Sequence, residues 1–203
     1  MKTLLLASPV KKLSINQVFG VNKATYQKFG LAGHNGIDCR ALHGDPVYAS
    51  HEGIANYEVD KSGGHGVDLV STEEYKMGEH GVAYARTRYW HLVDPKKEPK
   101  LASPIYGKKN VKVKGGDLIG YADSTGFSTG DHLHFGLKPT DKKGNPLFFS
   151  NGFKGAVDPQ PFLNKIPNTT VSYEEAMTTL YRSGLPKPIL LMALAVLKLK
   201  YWK

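Results

Sequence analysis

Three short segments hold residue types that can do hydrolytic chemistry. The first is Gly33-His34-Asn35-Gly36-Ile37-Asp38. Two glycines disfavour a helix there, so a loop running into a strand is expected, with both polar side chains converging on one point. The second is Tyr89-Trp90-His91-Leu92, a histidine closing an aromatic strand. The third is Ser128-Thr129-Gly130-Asp131-His132-Leu133-His134-Phe135. On a strand His132 and His134 share one face, and Leu133 and Phe135 turn to the core. Together His34, Asp38 and His134 supply two nitrogens and one oxygen. That donor set suits zinc and leaves a fourth position for water, as catalytic zinc sites do. His91 and His132 remain as imidazoles able to move protons. There is no His-Glu-x-x-His motif, so a glutamate base of that kind is absent.

These segments need a rigid sheet beneath them. Short β-prone runs recur at Pro46–Ala49, Gly53–Tyr57, Gly66–Val70, Val82–Leu92, Asp117–Gly120 and His132–Gly136, each bounded by Gly, Asp, Pro or Ser. No long stretch up to residue 163 carries a period of 3.6, so a mostly β, antiparallel sheet or barrel-like fold with a groove is expected. Met1–Pro9 holds three leucines but is interrupted too early to be a signal peptide, and reads as the first strand. The composition changes near Pro159. Residues 1–163 read as one domain and 164–203 as a linker with a basic and apolar helical tail, its helices near Ser172–Tyr181 and Pro188–Lys200. That tail is open to a membrane surface or a protein partner. No apolar run reaches the roughly 18 residues of a spanning helix.

The chain has 203 residues, 27 Lys+Arg against 18 Asp+Glu, and a net charge of +9, which favours polyanionic surroundings. No arginine-rich arm, zinc-finger spacing or RNA-binding aromatic signature is present, which argues against nucleic acid. A single cysteine, Cys39, excludes an intrachain disulfide framework. It follows Asp38 on the expected strand, so its thiol should face the core.

Over roughly residues 14–162 the sequence resembles the LytM/lysostaphin-type zinc endopeptidases, the peptidoglycan-cleaving family also called Gly-Gly endopeptidases. The resemblance rests on Gly33-His34-x-Gly36-Ile37-Asp38, Gly44-Asp45-Pro46-Val47-Tyr48-Ala49, Gly64-His65-Gly66, Trp90-His91-Leu92, Gly116-Asp117-x-Ile119-Gly120 and Ser124-Thr125-Gly126-x-Ser128-Thr129-Gly130-x-His132-Leu133-His134-Phe135. His65 stands where tyrosine or asparagine is common, and Asp131 where proline is common.

The resemblance implies one Zn²⁺ per chain, held by His34, Asp38 and His134, with His91 and His132 as the non-ligand catalytic histidines. It implies cleavage of peptide bonds in the stem or cross-bridge of bacterial peptidoglycan. One of His91 and His132 is expected to accept a proton from water, and the other to stabilise the oxyanion and the leaving amine. Gly33, Gly36, Gly126 and Gly130 are expected to line the groove, and His65 to border it. Ser128, Thr129 and Asp131 would position the His-x-His strand or serve only as turn residues. The site of action is then the bacterial cell wall, outside the cytoplasm. With no evident export signal, a phage lysin or virion-associated enzyme fits, as does a non-standard export route. The alternative is a non-catalytic, zinc-containing module that binds the wall or activates an amidase; the full set of ligands and histidines argues against it.

Overall fold

The structure is a computed structural model and describes residues 1–164. The linker and helical tail expected over 164–203 lie, from Lys165 onward, outside the described residues. Among the described residues nine strands form: β1 (Ile15–Gln17), β2 (Ile37–Cys39), β3 (Pro46–Tyr48), β4 (Gly53–Asp60), β5 (Gly64–Lys76), β6 (Val82–Leu92), β7 (Val111–Val113), β8 (Leu118–Tyr121) and β9 (Leu133–Thr140). Seven build one sheet in the order β1-β2-β9-β6-β5-β4-β7, and β3 pairs with β8. Every strand pair is antiparallel. This is the mostly β architecture that the punctuated runs predict.

Alternation along the strands decides what faces where. On β6, Ala83, Ala85, Thr87 and Tyr89 are buried on one face, while Arg86, Arg88 and Trp90 stand on the other. On β9, Leu133, Phe135 and Leu137 join the core, and His134 stands on the face that Trp90 and Arg88 occupy. The core runs from Val67, Leu69, Tyr89 and Phe135 of the large sheet to Val47 and Ile119 of the small one. Each such side chain contributes about 1.5–3 kcal/mol on burial. That apolar layer makes the opposite face a fixed platform. Cys39 is fully buried in this core, as its place beside Asp38 predicts.

Two local expectations change. Met1–Pro9 is not a strand: Thr3 and Leu6 make only isolated parallel bridges, to Lys76 and Leu163. Its alternation is nonetheless strand-like, with Leu4 and Leu6 buried and Leu5 exposed. A five-residue helix, α1 (Lys23–Gln27), was not expected; it buries no residue, so it leaves no apolar period to read. Among the described residues no helix is long and apolar enough to cross a membrane.

Candidate metal centre and active site

Register brings the first and third segments together. Asp38 on β2 lies directly opposite His134 on β9, the closest approach two strands offer their side chains. His34 precedes β2 in a loop clamped by its own backbone: Gly20 N–H donates to His34 O at 2.8 Å, and His34 N–H to Val21 O at 2.9 Å. The result is a triangle of donor atoms. His34 Nε2 lies 2.9 Å from His134 Nδ1 and 3.1 Å from Asp38 Oδ1, and His134 Nδ1 lies 3.2 Å from the same oxygen.

That triangle passes a test of fit. Ligand bonds of about 2.0–2.1 Å in tetrahedral geometry separate neighbouring donor atoms by about 3.3 Å. Imidazole nitrogens with a carboxylate oxygen suit a first-row divalent cation. The tautomer of His34 is settled by its partner: Nδ1–H donates to Val18 O at 3.1 Å, so Nε2 presents a lone pair. Burial opposes ionisation of Asp38, but the polar contacts of its carboxyl with the His134 and His34 rings outweigh it and hold the group well below its usual range. Burial lowers His134. An ionised carboxylate and a neutral imidazole are the states a cation requires.

Gly36 makes this packing possible. A Cβ there would lie 2.6 Å from Phe135 O and 2.8 Å from the His134 ring.

The other two histidines stand beside the triangle. His91 Nδ1–H donates to Thr125 O at 2.6 Å, and His132 Nδ1–H to Gly130 O at 2.8 Å. Both Nε2 atoms are thereby left as acceptors. The two ring centroids are 4.7 Å apart, and His132 Nε2 lies 3.6 Å from Asp38 Oδ1. His91 sits at φ +66°, a left-handed conformation costly for any residue with a Cβ. Backbone bonds on both sides hold it: His91 N–H to Gly63 O at 3.0 Å and Asp123 N–H to His91 O at 2.9 Å. Burial, with the neighbouring His134, pushes its imidazole down to about 4.

All five predicted residues therefore meet at one place, at a groove of about 470 Å³ whose lining includes Asp38, His91, His132 and His134. Trp90, Phe127 and Tyr26 line it too. Tyr26 stacks on His34 with ring centroids 5.1 Å apart, a contact made by the unexpected helix α1. Among glycines, Gly63 and Gly136 line the groove rather than Gly33, Gly36, Gly126 and Gly130. Gly33 and Gly126 instead allow backbone segments to meet, against Gly20 and Gly63–Gly64 respectively. His65 is not in the lining; its Nδ1 shares a hydrogen bond with the Tyr57 hydroxyl at 2.8 Å. Ser128 hydrogen-bonds Gly130 O at 2.8 Å within the turn, and Asp131 accepts from His43 N–H at 3.3 Å. The carbonyls of Val18, Thr125 and Gly130, which fix three tautomers, carry no residue-type signal and could not be read from sequence.

Residues 32–146 match the model of Peptidase family M23. The chain belongs to that family. This M23 chain is 36% identical over 107 residues to the peptidoglycan DD-endopeptidase ShyA of Vibrio cholerae, covering 53% of this chain and 20% of the relative. It is 33% identical over 132 residues to the glycyl-glycine endopeptidase ALE-1 of Staphylococcus capitis, covering 64% of this chain and 29% of the relative. It spans less than a third of the length of these curated relatives. A crystal structure of a zinc-containing peptidase from Vibrio cholerae superposes on 77% of this chain and 39% of its own, with a TM-score of 0.51 and 25% identity. Family and fold agree with the resemblance that the histidine motifs carry.

Proposed function

We propose that this M23 chain is a zinc-dependent endopeptidase that hydrolyses peptide bonds in the stem or cross-bridge of bacterial peptidoglycan. The observation that carries this reading is the meeting of His34 Nε2, Asp38 Oδ1 and His134 Nδ1 within 2.9–3.2 Å of one another, beside two further imidazoles with bare Nε2 atoms. His34, Asp38 and His134 would hold one Zn²⁺. Bound there, zinc supplies a Lewis acid for the scissile carbonyl and acidifies water.

The remaining chemistry belongs to the chain. His91 and His132 form a pair in which one Nε2 accepts the proton of the attacking water, and the other, protonated, stabilises the developing oxyanion by a hydrogen bond and then gives that proton to the leaving amine. Their Nδ1–H bonds to Thr125 O and Gly130 O fix both rings, so no reorientation is needed between the two transfers. The groove beside β9 gives an extended peptide access to this point.

The activity is assigned to residues 1–163, and the net charge of +9 suits an anionic wall. Its place of action is then the bacterial cell wall, outside the cytoplasm. Purified protein incubated with peptidoglycan sacculi and with glycine-rich peptides, with and without a chelator, tests the reading. Mass spectrometry should find chelator-sensitive cleavage at peptide bonds. Intact sacculi and peptides in the presence of fully loaded zinc would leave a binding module instead.

A further inference from the structure

The groove floor continues past the histidines along β9 and β6. His134, Gly136 and Lys138 alternate onto the same face of β9. Their register partners on β6 are Trp90, Arg88 and Arg86. The row beyond His134 is therefore Arg88 beside a position with no side chain, and the next row carries Lys138 and Arg86.

These cations outnumber the acids that meet them. Asp68, buried on β5, accepts from Arg86 Nη2, from Arg88 Nε at 2.7 Å and from Arg88 Nη2 at 3.1 Å. Asp60 also lines the groove, but its Oδ1 accepts from the backbone N–H groups of Ser62 and Gly63 at 2.7 and 2.6 Å. Lys138 is 7% exposed and pairs with no carboxylate among the described residues. Its ammonium donates to Lys154 O at 2.8 Å, which leaves donors to spare. Lys154 lines the same groove, with its own ammonium on Phe29 O at 2.8 Å. Arg88 lies beside Trp90, its Cζ 5.4 Å from the ring centroid. An ammonium held out of water without a direct ion pair is costly. Burial, with Arg88 and Arg86 close by, outweighs the attraction of Asp68 and pushes Lys138 down to about 8.

We propose that this end of the groove is a subsite for a carboxylate of the peptide substrate, held by Arg88, Lys138 and Lys154. The inference rests on the peptidase reading above and adds a preference to it. At about 3.3 Å per residue, Gly136 lies about 7 Å and Lys138 about 13 Å along β9 from His134. The carboxylate recognised thus falls about two to four extended residues from the bond that is cut. It can come from the peptide's own terminus or from an acidic side chain.

Matched peptides separate these sources: one ends in a free carboxylate two to four residues from the cleaved bond, one carries it on a side chain with an amidated end, and one is amidated at both places. With the metal-loaded full chain, kcat/KM for the better carboxylate peptide should exceed that for the neutral one roughly ten- to a hundredfold, as hydrogen bonds to a charged group allow. In Lys138→Gln that ratio should collapse toward one. Should this buried substitution unfold the chain, the exposed Lys154→Gln should lower the ratio by a smaller factor. Calorimetric binding of the same peptides to metal-free protein gives a second readout, with the same order of affinities. Equal kcat/KM for all three peptides, or a ratio that survives Lys138→Gln, would overturn the subsite while leaving the peptidase intact. No cleavage of any peptide, with the carboxylate binding preference present, would instead overturn the peptidase reading alone.

Discussion

His91 and His34 are both buried imidazoles, yet their geometry sets them apart. His34 presents Nε2 within 3.1 Å of Asp38 and 2.9 Å of His134, whereas His91 keeps its ring outside that triangle and holds a φ of +66°. A non-glycine residue kept left-handed costs about 1–3 kcal/mol and persists where the surroundings over-determine it. The expected outcome is a clean split. His34→Ala should lose the metal, measured by elemental analysis after dialysis. His91→Ala should retain it and lose turnover by about 10²–10⁴-fold, the range of a general acid or base. A metal-free His91→Ala protein would show that the ligand set is drawn wrongly.

At the scale of elements, the site depends on how closely β2 approaches β9. Gly36 sits at the entrance to β2, where any Cβ would strike Phe135 O at 2.6 Å and the His134 ring at 2.8 Å. Gly36→Ala should therefore move the His134 imidazole and weaken metal binding by at least about 10-fold, read by competition with a chromogenic chelator. The strands on the other side of the groove are tied by charge. Asp68, with its side chain 3% exposed, bridges Arg86 and Arg88 from the neighbouring strand. Asp68→Asn leaves two guanidinium groups without their counter-ion. Since each guanidinium keeps about a quarter of its exposure, the cost should fall near 3 kcal/mol, at the low end for a broken buried pair. Urea unfolding of the two proteins measures it, and an unchanged midpoint would show that the pair is solvent-compensated.

Across the whole molecule, acid sensitivity has a buried source away from the groove. His51 is 6% exposed, with its ring between Thr87 Oγ1 at 2.9 Å and Glu52 O at 2.8 Å. Burial pushes it from 6.5 down to about 4. The unfolded chain therefore binds a proton through this window that the folded chain does not. The stabilising contribution is present above pH 6.5 and is lost as pH falls to about 4, by up to about tenfold in the folding constant per pH unit. His51→Gln should shallow that slope in pH-dependent unfolding without abolishing it, because His91 is also held down to about 4. An identical slope in the variant would remove His51 as a source.

The sequence alone determined the strand-rich class and singled out the five side chains that the fold brings together. Alternation, turn residues and the spacing of His34, Asp38, His91, His132 and His134 are local properties, and local properties are written in residue types. It also placed Cys39 in the core by the same alternation. What tertiary structure decided is whatever depends on register between distant strands or on backbone atoms. The tautomers of His34, His91 and His132 are set by carbonyls, which every residue has. The cation row of Arg88 and Lys138 is set by the pairing of β6 with β9, which lie about 50 residues apart. Helix α1 is one turn with no buried face, so nothing in its residue pattern announced that Tyr26 would cover His34.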